Sequence, residues 1–393
     1  MVRGAHGCWA SRVTPLPPLW EAERDEALTC VAMRAETHDV STFVFAPVTP
    51  RLFRFLPGQF MTFELPVAGS LDGAGMQRSY TIASPPTRPW RIEVTAKRTP
   101  GGPGSGWLHD AMRPGVQVRA MGPMGDFTLE PGTGGKYLFL SAGSGITPVM
   151  SMARTLHDLG SDADVLFLHS ARSPVDLLFA EELAAMSRRR GFRSVGIVEG
   201  DASGARWDGL RGRLSPAMLG LLAPDLLDRE VFCCGPAPYM EAVRAMLDAA
   251  AFDRARYREE SFSFGGAAPD QPSSREKNGY LKPGPIVGIP QAVQTDGVLV
   301  QDEPGLASFT ICFARLGREI VCPPGVSVLA AARSAGVRLP AACGKGVCGT
   351  CKSRLVSGTV EMRHGGGIRQ REIDDGLALL CCARPTSDLV VDR

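Results

Sequence analysis

Short β-rich runs of apolar and hydroxyl-bearing residues stand at 28–33, 42–45, 59–65, 79–82, 91–96 and 116–120, in a region punctuated by Pro and Gly. Six short strands in about one hundred residues predict a small antiparallel barrel. After residue 133 the rhythm changes: an apolar run at 137–141 leads through a glycine turn into a helical pattern over 149–159. Further strands at 164–169, 194–198 and 231–234 follow, with helices over 174–188 and from 236 to 247. Strands alternating with helices predict a doubly wound α/β parallel sheet. Residues 263–306 carry Gly, Pro, Ser, Gln and charge without a sustained period, which reads as a linker. A hairpin at 309–313 and 319–322 and a helix over 328–336 open a last, smaller module. The expected organisation is an N-terminal extension (1–26) that is loose and without chemistry, a barrel (27–132), a parallel-sheet domain (133–262), the linker, and a C-terminal domain (307–393).

The chain has 393 residues, room for two to four domains, and a formal net charge of +2 without long runs of one sign. That balance argues against nucleic-acid and membrane-surface roles. No apolar run reaches the ~18 residues of a membrane helix, and the N-terminus lacks the apolar core of a signal peptide. A cytoplasmic location is expected. Of eleven cysteines, Cys8, Cys30, Cys312 and Cys322 stand alone and read as small buried or surface residues.

The remaining cysteines are grouped. Cys343, Cys348 and Cys351 form a C-x4-C-x2-C loop, and Cys381-Cys382 follows about thirty positions later. This is the plant-type 2Fe-2S spacing. Each iron needs two thiolates, and the sulfides need N–H groups nearby, which Gly344, Gly346 and Gly349 allow by letting the backbone approach. Zinc is the alternative, since Cys348 and Cys351 also form a C-x2-C, but zinc modules usually bring a second short-spaced Cys or His pair, and the 4-then-2 spacing with three glycines is not theirs.

Within the barrel, Arg78-Ser79-Tyr80-Thr81 offers a guanidinium that can grip a phosphate, an aromatic face and a hydroxyl. The same residues would also suit an ordinary strand. Gly104-Ser105 follows at an expected helix start, where free N–H groups favour phosphate. In the parallel-sheet region, Gly143-Ser144-Gly145-Ile146-Thr147-Pro148 between strand and helix is a nucleotide cradle, and Cys234-Gly235-Pro236 and Glu260-Ser261-Phe262 follow later.

The last ~85 residues resemble plant-type ferredoxins, a length suited to one small domain. The resemblance implies an α+β (β-grasp) fold. It also names the fourth ligand: the family's last cysteine stands four positions before a Pro-Thr-Ser-Asp tail, which selects Cys381 and not Cys382. Arg78–Thr81, the Leu56-Pro57-Gly58-Gln59 turn, Gly104-Ser105-Gly106 and Gly122–Phe127 resemble the flavin domain of the ferredoxin-NADP reductase superfamily. The later glycine turn, Cys-Gly-Pro and Glu-x-Phe resemble its pyridine-nucleotide domain. The resemblance implies FAD, with FMN as the alternative, held by Arg78, Ser79, Tyr80, Thr81, Lys97, Gly104 and Ser105. It implies NADH, with NADPH as the alternative, held by Gly143, Ser144, Gly145, Thr147, Pro148, Gly235 and Pro236, with Phe262 also at the cofactors. Arg172 is placed to meet a 2′-phosphate, although NADH-using relatives carry an arginine there too. Cys234, Thr81 and Glu260 would stand at the site of hydride transfer; Cys234 as a nucleophile lacks a nearby base.

The module order resembles the reductase components of Rieske oxygenases of the phthalate and quaternary-amine types, and also the reductase of hybrid-cluster protein. It implies two electrons taken as hydride from NAD(P)H, divided at the flavin, and passed singly through the cluster to an oxygenase component or other protein acceptor. A flexible linker of this length would reach about 35 Å, enough for the last domain to dock on the flavin and swing away. A redox sensor is the competing class, but it would have no purpose for the hydride-site residues.

Overall fold

A computed structural model describes residues 15–21, 26–67, 76–130, 132, 135–201, 206–262, 308–341, 344, 346, 349–365, 367–368 and 370–393. The expected linker, Cys8, and the cluster cysteines Cys343 and Cys348 lie outside these residues.

The six predicted barrel strands are present as β1 (Glu26–Ala35), β2 (Val40–Pro47), β3 (Phe60–Leu65), β4 (Met76–Thr81), β5 (Ile92–Lys97) and β6 (Gln117–Met124), with α1 (Pro103–Ala111) between the last two. They form one antiparallel sheet in the order β4-β3-β6-β1-β2-β5. An Ile82↔Val94 bridge beyond β4 meets β5 and closes the barrel. Phe43, Phe45, Phe63, Met61 and Leu65 fill its interior.

The N-terminal extension corrects the sequence expectation. Trp20 is buried, lies 5.2 Å from the Phe53 ring, and donates its indole N–H to the Gly122 carbonyl at 2.6 Å. Leu19 bridges Leu52 in parallel. A single tryptophan whose N–H finds a partner supplies enough apolar surface to pin a segment that has no periodicity of its own.

The second domain comprises β7 (Lys136–Ala142), α2 (Ile146–Asp158), β8 (Asp164–Ala171), α3 (Ala180–Met186), β9 (Phe192–Val198), β10 (Leu210–Arg211), α4 (Pro216–Leu222), β11 (Glu230–Cys234), α5 (Ala237–Ala249) and β12 (Tyr257–Glu260). Its all-parallel sheet runs β10-β9-β8-β7-β11-β12, so the strand order reverses between β7 and β11. The single helix expected over 174–188 is instead a short 3-10 turn at Pro174–Asp176 followed by α3. Phe179, in the left-handed region at φ 55°, breaks it. That residue is buried beneath the Arg154 guanidinium at 4.9 Å, and the Leu178 N–H is drawn to His169 Nε2 at 3.4 Å. Tertiary contacts thus override the helical pattern.

The C-terminal domain contains β13 (Phe309–Phe313), β14 (Arg318–Cys322), α6 (Val328–Ser334), β15 (Lys352–Ser357), β16 (Val360–Met362), α7 (Gln370–Asp374), β17 (Leu377–Leu379), β18 (Ala383–Pro385) and β19 (Leu389–Val391). A mixed five-stranded sheet, β14-β13-β19-β15-β17, packs against α6 as a β-grasp requires. Cys30 and Cys322 are buried and Cys312 is half-buried, as expected for isolated cysteines.

The cores divide unevenly. Val40, Phe127 and Leu129 of the barrel share one cluster with Phe139, Val149, Phe167 and Phe232 of the parallel-sheet domain. Among the described residues the C-terminal core contains only residues of its own domain. Among the described residues no helix is long and apolar enough to cross a membrane.

Candidate functional site

The PGQ turn and the closing glycine loop of the barrel lock together. Gly58 has φ +103°, and a Cβ on it would fall 2.1 Å from the Phe127 carbonyl oxygen, so only glycine fits. Gln59 accepts from the Leu56 N–H at 3.0 Å and donates to the Gly125 carbonyl at 3.2 Å. Arg78, Ser79, Tyr80 and Thr81 follow one another on β4, so their side chains alternate between its faces. The Arg78 chain lies along the first turn of α1, where a Cβ on Gly104 would meet its Cγ at 2.9 Å. A guanidinium thus stands beside helix-terminal N–H groups that have no intrahelical acceptor, a donor set suited to phosphate.

The Ser105 hydroxyl is engaged within its own turn, accepting from Thr99 N–H at 3.0 Å and donating to Gly102 O at 3.3 Å. Tyr80 packs edge-on to Phe63, and burial pushes its phenol up to about 12. Thr81 is buried. Lys97, at the end of β5, is paired with Asp39 at 2.9 Å.

At the reversal between β7 and β11 two loops stack on each other. A Cβ on Gly145 would lie 2.4 Å from the Cys234 carbonyl oxygen and 2.7 Å from Gly235 Cα, which places the Gly143–Gly145 turn directly against Cys234-Gly235-Pro236. Gly143 takes φ +54°, and Thr147 caps the turn by donating to the Ser144 carbonyl at 3.2 Å. Pro148 continues into α2, whose N-terminus opens at this crevice, the position where parallel sheets bind nucleotides. Arg172 is exposed just past β8.

Cys234 and Glu260 are register neighbours on β11 and β12. Both are buried. Burial raises the Cys234 thiol well above its ordinary value, so it is a neutral group and not an activated nucleophile. Burial, with a smaller contribution from Asp126, raises the Glu260 carboxyl to about 8. Its Oε2 has no hydrogen-bond partner among the described residues. A neutral carboxylic acid and a thiol therefore stand side by side, with Phe262 packed against the same core as Phe127.

Two residues escaped the sequence reading. Arg154, buried in α2, donates to the Ala83 carbonyl at 2.8 Å, pairs with Glu93 at 3.2 Å, and grips Glu182 at 2.6 Å. With Ser151 on the Ser84 carbonyl at 2.8 Å, it fastens the parallel-sheet domain to the barrel. A charge within an otherwise apolar helix stripe was the available signal. His169 is fully buried and pushed down to about 4. Its Nε2 accepts from Leu178 N–H, so Nδ1 carries the proton toward Ser141 Oγ at 2.9 Å.

The C-terminal domain seats on the barrel through the cluster loop. Thr350, next to Cys351, lies 3.5 Å from Ser79 Oγ on β4. Around it, Arg338 pairs with Glu64 at 3.0 Å, the Ala341 N–H donates to Gln77 at 3.0 Å, and Lys352 reaches Asp126 at 3.5 Å. Gly344, Gly346 and Gly349 all take positive φ, from 64° to 74°. The Gly346 N–H points at Cys381 Sγ at 3.3 Å, and Cys381 N–H at Cys351 Sγ at 3.5 Å. Amides turned toward two close sulfurs, with Cys381 held down to about 6 chiefly by its hydrogen bond with Cys351, fit an iron–sulfur cluster. Cys382 instead points its thiol at the Leu379 carbonyl, 3.5 Å away.

Comparison with known proteins accounts for all three modules. An oxidoreductase FAD-binding domain matches residues 28–129, an oxidoreductase NAD-binding domain matches 139–245, and a 2Fe-2S iron-sulfur cluster binding domain matches 313–386. The glycine betaine monooxygenase reductase subunit of Pseudomonas aeruginosa is 43% identical over 364 residues, covering 92% of this chain and 94% of that protein. The stachydrine N-demethylase reductase subunit of Rhizobium meliloti is 38% identical over 368 residues, covering 93% and 96%. Phthalate dioxygenase reductase shares the fold at a TM-score of 0.55 and 24% identity, covering 94% of this chain and 98% of its own. With FAD, NAD and 2Fe-2S modules present in that order, the chain belongs to the ferredoxin-NADP reductase superfamily, among its members that carry a C-terminal plant-type ferredoxin domain.

Proposed function

We propose that this chain is the cytoplasmic reductase component of a Rieske-type oxygenase that removes a methyl group from a quaternary-ammonium carboxylate. The contact that carries the reading is Thr350 against Ser79: it sets the residue beside a cluster ligand on the strand that holds the flavin motif. When bound, the flavin accepts hydride and releases electrons one at a time, which suits the one-electron cluster.

Arg78 and the first turn of α1 hold the flavin phosphates, with Ser79, Thr81 and Lys97 along the same strands and Tyr80 packed on the ring. The Gly143–Thr147 turn and the start of α2 hold the nucleotide pyrophosphate, and Gly235 and Pro236 complete the cradle. Arg172 borders the adenosine end. Cys234 and Glu260 face the nicotinamide in their neutral forms, so no buried charge opposes transfer of a negative hydride. Phe127 and Phe262 keep water from that end. Cys343, Cys348, Cys351 and Cys381 ligate the cluster.

The substrate class follows from the two relatives, whose named substrates, glycine betaine and stachydrine, are both N-methylated ammonium carboxylates. Purified reductase, NADH, oxygen and a candidate oxygenase should release formaldehyde from such a substrate only when all components are present. NADH oxidation with ferricyanide should proceed without the oxygenase. Reductase that reduces ferricyanide but supports no demethylation of either compound with any oxygenase of this class would sink the proposal.

A further inference from the structure

We propose that electrons leave the docked cluster domain through a separate, basic surface beside Cys381 that receives an oxygenase face bearing carboxylates; this rests on the reading of the chain as an oxygenase reductase. A dent of about 240 Å³ opens next to Cys381, lined by Gly325, Ser327, Glu361, Arg363, Cys382 and Arg384. Among the described residues, the contacts that seat the domain on the barrel run through Arg338, Ala341, Thr350, Lys352 and Arg393, none of which lines the dent. The Cys351 side of the cluster loop thus meets the flavin strand, while Cys381 borders a surface left open in the same arrangement. A partner can reach that side without the domain leaving its seat.

The charge of this surface specifies the partner. Residues 307–393 carry twelve Lys and Arg against seven Asp and Glu, a surplus of five, whereas the rest of the chain has a deficit of three. At the dent, Arg384 is exposed and has no carboxylate partner among the described residues. Among the described residues Arg363 pairs with Glu361, and the pair is 88% and 56% exposed, so it holds little energy and yields readily to another anion. Two available guanidinium groups beside an electron exit favour a surface of carboxylates, by bidentate pairing and by steering on approach.

The test is the full-length, cofactor-loaded double variant Arg363→Glu/Arg384→Glu. Reduction of the flavin by NADH should remain at the wild-type rate, which shows that the fold and hydride site are intact. Reoxidation of the reduced cluster, followed in its visible band, is compared for anionic ferricyanide and cationic hexaammineruthenium(III). The ratio of the two rates should shift toward the cation by about tenfold or more. Transfer to the oxygenase should fall by about the same factor at low salt, and the slowing by salt expected of the wild type should vanish in the variant. An altered oxidant ratio with unaltered transfer to the oxygenase would overturn the docking claim. An unaltered ratio would overturn the assignment of this surface as the exit. If wild type passes no electrons to the oxygenase while the oxidant ratio still shifts, the fault lies in the choice of partner and not in the exit surface.

Discussion

Replacing Gly145 by alanine tests how the nucleotide cradle is built. The backbone there is ordinary, at φ −64° and ψ −2°, so alanine adds no conformational strain. What it adds is a methyl group 2.4 Å from the Cys234 carbonyl oxygen, 2.5 Å from its carbon and 2.7 Å from Gly235 Cα. All three are backbone atoms and cannot rotate away. Relief to ordinary contact at 3.4 Å requires the two loops to separate by 1.0 Å. Overpacking of this kind costs about 1–3 kcal/mol. More telling is the displacement of Cys234 relative to the flavin side, since a misplacement of about 1 Å can reduce a rate by roughly a hundredfold.

Gly143→Ala is the control. It places a side chain at φ +54°, which costs about 1–2 kcal/mol, yet its Cβ meets nothing within 4 Å. In stopped flow at saturating NADH, flavin reduction should collapse in Gly145→Ala and persist in Gly143→Ala, although thermal melts show comparable losses. Equal saturating rates in the two variants would refute the claim that contact between these loops sets the position of the reacting groups.

Other outcomes follow from the same geometry. Glu260, raised from 4.5 to about 8 by burial and by Asp126, binds its proton more tightly folded than unfolded. Stability from this group is therefore full below pH 4.5 and lost as pH rises to about 8, on the order of a few kcal/mol. Denaturant titrations of Glu260→Gln should lose that slope, and an unchanged profile would remove Glu260 as its source. Cys381→Ser should abolish the cluster's visible and paramagnetic spectra while Cys382→Ser preserves them, because amides converge on the first thiol and the second faces Leu379; the reverse result would shift the ligand register by one. A chain ending at Phe262 should fold, retain flavin and reduce ferricyanide, because the C-terminal core includes no residue of the first two domains; loss of flavin would show the third domain to be integral.

Short β-rich runs exposed all six barrel strands, although burial does not alternate cleanly along them: β2 buries consecutive residues on both faces, and β4 is half-buried up to Thr81. Of the parallel strands, β7, β8 and β11 were plain as short apolar runs buried on both faces and β9 as a weaker one, whereas the short edge strands β10 and β12 carried no such signal. The cysteine spacing and the glycines were legible for a stricter reason: positive φ at Gly344, Gly346 and Gly349 and the close approach at Gly58 exclude other residues. What stayed hidden depends on distant partners. Trp20 looks like part of a featureless tail until the Gly122 carbonyl receives its N–H, 102 positions away. Phe179 breaks a helical pattern because Arg154 and His169 claim that segment. The neutral state of Glu260 required knowing that β12 takes its carboxyl out of water beside Cys234.

The distribution of cores bears on why electrons are handled in two stages. Hydride transfer demands donor and acceptor fixed within fractions of an ångström, and here the barrel and the parallel-sheet domain share one apolar core, fastened by the buried Arg154 clamp. Moving one such domain would expose apolar surface and strand a buried guanidinium, a cost of several kcal/mol. The cluster domain instead meets the barrel through exposed pairs such as Arg338–Glu64, with 43% and 19% of the side chains accessible, and through single hydrogen bonds. Such contacts are individually worth about 1 kcal/mol or less and weaken with salt. Single-electron transfer tolerates that looser seat because it needs no atom to cross the gap. The more weakly held domain boundary therefore lies after the two-electron chemistry is complete, where a weak interface leaves the rate of hydride transfer unaffected.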